Sequence, residues 1–124
     1  MLIGLGSDIV SVSRIAGVAS RRSGFAGRIL TEREIAVYEE RGHSAEFLAG
    51  RFAAKEAFLK ALGTGLGNGI LFSEIEISPG ASGRPLISFR GRAMECFSRI
   101  GGRKAFISIS HEKEYALAVA MIEG

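Results

Sequence analysis

At 124 residues and 47% hydrophobic content, the chain is expected to form one domain, residues 1–124, with a modest core. Its single cysteine, Cys96, excludes a disulfide framework and any CxxC metal site and fits a reducing cytoplasm. The net charge of +3 is uneven, with Arg14, Arg21, Arg22, Arg28 and Arg33 all in the first third, which favours an acidic partner.

Residues 2–10 read as a buried strand, apolar at Leu2, Ile3, Leu5, Ile9 and Val10, with Asp8 inside the run. A carboxylate there calls for a cation or a set of donors; the alternative is a cap or turn ahead of a helix at 12–19. The apolar start lacks a basic leader, and Asp8 interrupts it, so a signal peptide is not expected. No run approaches the length of a membrane span, and no membrane partner is expected. Residues 20–27 read as a loop holding Phe25. Nucleic acid is a weak expectation, because Phe25 is the one aromatic among these arginines. Thr31 and Glu34 form a capping-box pattern, opening a helix that ends near Gly42.

Ser44 is placed to cap a long helix running to Leu62, with Gly63 as its glycine stop. Apolar residues surround it almost completely, yet Glu56 and Lys60 share one stripe, flanked by the small Ala49 and Ala53. One reading is an i,i+4 ion pair at a wet edge. The other is a ligand cleft. Asp8 and Glu56 would then offer two hard oxygen ligands from two rigid elements, which suits Mg²⁺, and Lys60 would hold a phosphate oxygen.

GTGLGNG at 63–69 follows a helix and lacks the last glycine of a dinucleotide fingerprint, so it reads as a cap and loop. Strands are expected at 73–78 and 85–89 around a Pro-Gly turn, then a helix to about 100. Two more strands, 105–110 and 115–122, flank a turn at 111–114. This order gives an α+β fold with a mostly antiparallel sheet. HEKEY at 111–115 has Tyr115 where a zinc protease needs histidine, and the two histidines, His43 and His111, are far apart, so zinc is not expected.

GSDIV near the start, FAAKEAFLKALGTG in the middle and SISH near the end resemble the holo-acyl-carrier-protein synthase family, the small stand-alone 4′-phosphopantetheinyl transferases. The resemblance covers the whole chain. It implies a mostly antiparallel sheet packed on a long central helix. It also implies transfer of 4′-phosphopantetheine from coenzyme A to a serine of apo acyl carrier protein, for fatty acid biosynthesis, with Mg²⁺ as cofactor and 3′,5′-ADP released. By the same resemblance Asp8 and Glu56 bind the metal, Lys60 contacts phosphate, and Glu56 acts as base directly or through an intervening water. Arg51 and Gly63 then border coenzyme A, Gly83, Arg84 and Pro85 lie along its adenine, and Ser110 and His111 approach its 3′-phosphate from a neighbouring subunit of a homotrimer. Arg14, Arg21, Phe25 and Arg28 form the carrier-docking surface. Gly24 and the sequence Gly42-His43-Ser44 depart from the more basic residues of relatives. A Mg²⁺-dependent pyrophosphate hydrolase and a basic nucleic-acid module are the alternative classes.

Overall fold

Three helices begin where a hydroxyl can satisfy an orphan amide. In the computed structural model, which describes residues 1–124 apart from the side chain of Leu66, Ser11 Oγ accepts from Arg14 N at 3.2 Å to start α1 (Val12–Arg21). That cap removes the reading of Asp8 as the capping residue. Thr31 and Glu34 cap α3 (Glu32–Glu40) reciprocally, each side chain accepting from the other's backbone amide. Ser44 Oγ accepts from Phe47 N to open α4 (Ala45–Leu62), and Gly63, at φ 79°, closes it in the left-handed conformation. Ser11→Ala should lower the unfolding free energy by about 1 kcal/mol in urea titration, with the slope of the transition unchanged.

Residues 20–27 differ from expectation. They are not all loop: Gly24, at φ 85°, turns the chain into a short helix, α2 (Phe25–Ile29), which carries Phe25 and Arg28. The left-handed backbone at that point gives Gly24 a conformational role.

Strands β1 (Leu2–Ser11), β4 (Lys104–His111) and β5 (Tyr115–Glu123) form an antiparallel sheet in the order β1-β5-β4. A separate hairpin pairs β2 (Ile75–Pro79) with β3 (Pro85–Phe89), and α5 (Gly91–Arg99) follows it. The expected α+β arrangement around one long helix is present. The three-stranded sheet lies against α4, and the hairpin and α5 pack on α4 through Phe58, Phe89 and Phe97, a tilted and an edge-to-face ring pair with centroids 4.8 and 4.7 Å apart. Leu48, Ala49, Ala53, Ala57 and Phe58 have no exposed surface, so the expected burial of α4 holds.

β1 is not the fully buried strand expected. Its side chains alternate, and the apolar ones lie on the wrong side for a core: Leu5 and Ile9 are each 62% exposed. The face turned to α4 carries Gly4, Gly6, Asp8 and Val10. A Cβ on Gly6 would collide with Ala57 O and stand 2.7 Å from Ala61 N; one on Gly4 would collide with Ala61 O. At Gly4 and Gly6 the strand therefore lies directly against the helix backbone.

The one fully buried ion pair among the described residues joins α4 to α3. Lys55 is 0% and Glu34 2% exposed, and Lys55 Nζ sits 2.6 Å from Glu34 Oε1. Lys55 Nζ also donates to Ile29 O at 2.6 Å and Phe72 O at 3.2 Å. Glu34 accepts further from Thr31 N and from Ile77 N at 2.8 Å, so both charges are fully bonded. Burial lowers the Lys55 pKa, and the Glu34 carboxylate opposes that shift.

Candidate active site

Asp8 is two residues beyond Gly6 on the same face of β1, so the close strand–helix contact carries it to the last turns of α4. There Lys60 Nζ donates to Asp8 Oδ1 at 3.0 Å and to Ser7 O at 2.9 Å. Lys60 thus pairs across to the strand, and the i,i+4 pair with Glu56 is not formed. Lys60 is 53% exposed and Asp8 16%, which leaves this group at the rim.

Glu56, one turn earlier on α4, is half-buried. Its pKa is raised above the usual carboxylate value, first by burial and then by the Asp8 charge, with Lys60 opposing. Asp8 and Glu56, carried by two rigid elements, could together hold a hard cation. Among the described residues no cluster of three or more His, Cys, Asp or Glu offers a complete protein cage. A pair of carboxylates fits Mg²⁺, which takes its other ligands from water and phosphate.

A cleft of about 720 Å³ opens beside Glu56. It is lined by Phe52 and Glu56 of α4, by residues 22–29 and by residues 70–73. Phe52 stands between Phe25, at 6.4 Å between ring centroids, and Phe72, at 5.7 Å. Ala49 and Ala53, expected to leave room beside Glu56, are buried instead, and the apolar wall there is aromatic. Of the four expected docking residues, Phe25 and Arg28 line this cleft; Arg14 and Arg21 are exposed on α1 outside its lining. Arg22, expected only as part of the basic run, lines it too, as do Phe52 and Phe72, which the sequence did not single out. The spacing of Phe52 and Glu56, one helical turn, was the available signal.

A second cavity, of about 170 Å³, holds Arg51 and His111 together with Arg41, Ser44 and Glu46. The Arg51 guanidinium lies 4.4 Å from the Phe47 ring centroid, and its buried Nε has no hydrogen-bond partner among the described residues. Burial lowers its pKa, Glu34 opposes this, and Arg41 adds to it. His111 Nδ1 is 3.4 Å from Glu46 Oε2 of the same chain. Ser110, the residue before, points to the opposite face of β4. The two expected 3′-phosphate contacts therefore diverge within one chain.

Gly83 and Arg84 lie in the β2–β3 turn, and Pro85 opens β3. Pro79, paired with Pro85, lines a further cavity of about 220 Å³ that Arg51 also borders. Gly63 is exposed, three residues beyond Lys60.

The model of the 4′-phosphopantetheinyl transferase superfamily matches residues 4–120. A holo-acyl-carrier-protein synthase of Shewanella loihica is 46% identical, with 99% of this chain and 98% of the relative covered. The chain belongs to the holo-acyl-carrier-protein synthase family. Solved structures agree. The synthase of Neisseria meningitidis superposes with a TM-score of 0.90 at 38% identity over 100% of both chains. The Helicobacter pylori synthase in complex with coenzyme A gives 0.82 at 33% identity, covering 96% of this chain and 99% of that one. This synthase-family chain thus combines a two-carboxylate rim with an aromatic cleft beside it and an arginine cavity farther along α4.

Proposed function

We propose that the chain moves the 4′-phosphopantetheine group of coenzyme A onto a serine of apo acyl carrier protein, in a Mg²⁺-dependent step that releases 3′,5′-ADP. The observation that carries this reading is the approach of Asp8, Glu56 and Lys60 at one rim. The serine oxygen bonds to the β-phosphorus, the bond from that phosphorus to the ADP oxygen breaks, and the serine proton is lost to a base. Asp8 and Glu56 would hold Mg²⁺, which when bound neutralises the pyrophosphate and the leaving group. Lys60 spends two of its three N–H groups on Ser7 O and Asp8, and its third would donate to a phosphate oxygen. Glu56 would take the serine proton directly or, when it holds the metal, through an intervening water. Arg51 and His111 supply a cationic cavity for a further phosphate of coenzyme A, with Gly63, Gly83, Arg84, Pro85 and Ser110 as its other contacts.

The docking side follows from charge. Carrier proteins are acidic, and Arg28 with Phe25 presents a basic, partly apolar surface beside Glu56, with Arg14 and Arg21 exposed on α1 outside the cleft. Arg28→Glu should raise KM for the carrier about tenfold while changing kcat less than about threefold, and the effect should shrink at high salt.

Assembly belongs to the same reading. The outer sheet face sets exposed Leu5 opposite Met121 and Ile9 opposite Leu117, with Phe106 beside Met121. Such a patch is covered in a stable protein, and a homotrimer with active sites between subunits is the proposed arrangement. Among the described residues no helix is long and apolar enough to cross a membrane, and we place the activity in the cytoplasm, in fatty acid biosynthesis.

The deciding experiment is intact mass measurement of apo carrier protein after incubation with this chain, coenzyme A and Mg²⁺, with an EDTA control. A metal-dependent gain of one phosphopantetheine supports the reading. Loss of coenzyme A without any gain on the carrier would replace it with pyrophosphate hydrolysis.

A further inference from the structure

The buried ammonium of Lys55 has no part in the chemistry described above. Resting on the proposed function, we infer that Lys55 is a positioning residue. It fixes the three segments of the aromatic cleft relative to one another and thereby sets the fit of the protein substrate. The cleft is lined from α4, from residues 22–29 and from residues 70–73. Lys55 lies on α4 between Phe52 and Glu56. Its Nζ donates to Ile29 O, at the end of α2, and to Phe72 O in the third segment. Its remaining bond goes to Glu34, itself held by Thr31 N and Ile77 N. Three donors thus meet three acceptors on three separate stretches of chain.

Stability alone is a poor account of this arrangement. Apolar side chains of similar volume often replace a buried ion pair without loss. A methionine would fill the space, but it could not bond two backbone carbonyls in two walls. Ile29 O is also one of the terminal helix carbonyls that find no partner within the helix, so an outside donor fixes where α2 ends. Phe25 and Arg28 ride on that helix.

The test uses Lys55→Met and the charge-balanced pair Lys55→Met/Glu34→Gln in the full chain, assayed with apo carrier protein and coenzyme A below the thermal midpoint of each. In the paired variant KM for the carrier should rise about tenfold, while KM for coenzyme A and kcat change less than about threefold. An unchanged carrier KM overturns the inference, as does a matching rise in KM for coenzyme A. Residue-resolved hydrogen exchange decides the case if neither variant folds, because it needs only the native chain. Leu30 and Glu74, whose amides bond within the two tethered segments, should open together, with protection factors agreeing within about threefold. Openings separated by more than about tenfold overturn the inference. Failure of the native chain to modify any carrier would count against the proposed function, and the exchange result would still stand on its own.

Discussion

Glu56→Gln should reduce transfer by about 10²- to 10³-fold or more while raising the thermal midpoint. The two effects share a cause. Burial and the Asp8 charge hold the Glu56 pKa above its ordinary value, so the folded chain binds that proton more tightly than the unfolded chain does. The contribution of this group to stability is therefore fully present at acid pH. It is lost as pH rises from the ordinary carboxylate value through the raised one. Glutamine keeps the neutral form at every pH and removes the repulsion from Asp8. It also removes one of the two oxygen ligands, so Mg²⁺ should raise the midpoint of the native chain and leave that of Glu56→Gln unmoved. Thermal melts with and without Mg²⁺ at pH 5 and pH 8 would check both halves. A variant that melts lower at pH 8, or still gains from Mg²⁺, would remove Glu56 from the metal site.

Gly6→Ala should cost about 3 kcal/mol, a large effect for one methyl group. The added carbon has no free volume: it meets Ala57 O, Ala61 N and, at 2.9 Å, Lys60 Cβ. Two of these are backbone atoms of α4 and cannot rotate away, so β1 must lift from the helix. The lift moves Asp8 away from Glu56, and the variant that remains folded should lose Mg²⁺ stabilisation together with transfer. Gly27→Ala is the control, since a Cβ there meets nothing within 4 Å. Urea unfolding of the two variants should separate them clearly; equal midpoints would mean that the strand does not rest on the helix as described.

Local signals in the sequence were legible where one short stretch decides the outcome. Thr31 with Glu34, Ser44 and Gly63 mark helix ends because caps involve residues three or four apart. Asp8, Glu56 and Lys60 were recognised as chemistry because charged groups in apolar surroundings need partners. The Lys60–Asp8 pair is not legible there, since Lys60 reaches a strand fifty-two residues away and spacing along a helix cannot show that. The orientation of β1 was hidden for a different reason. Glycine contributes nothing to a hydropathy pattern, so residues 2–10 read as a buried strand with no distinction between its two faces. Lys55 was missed although it stands between Ala54 and Glu56 on a buried helix. The carboxylate that answers it, Glu34, had already been assigned to a cap, and one side chain does both.

β1 imposes a parity rule on any redesign of this chain. Even-numbered positions from Gly4 to Val10 face α4 and odd ones face away, so insertion or deletion of a single residue between Gly6 and Asp8 would turn the carboxylate outward and bring an odd-numbered side chain against the helix. Length changes there can be absorbed only in pairs, and even a pair moves Asp8 about 7 Å along the strand, past the reach of Lys60.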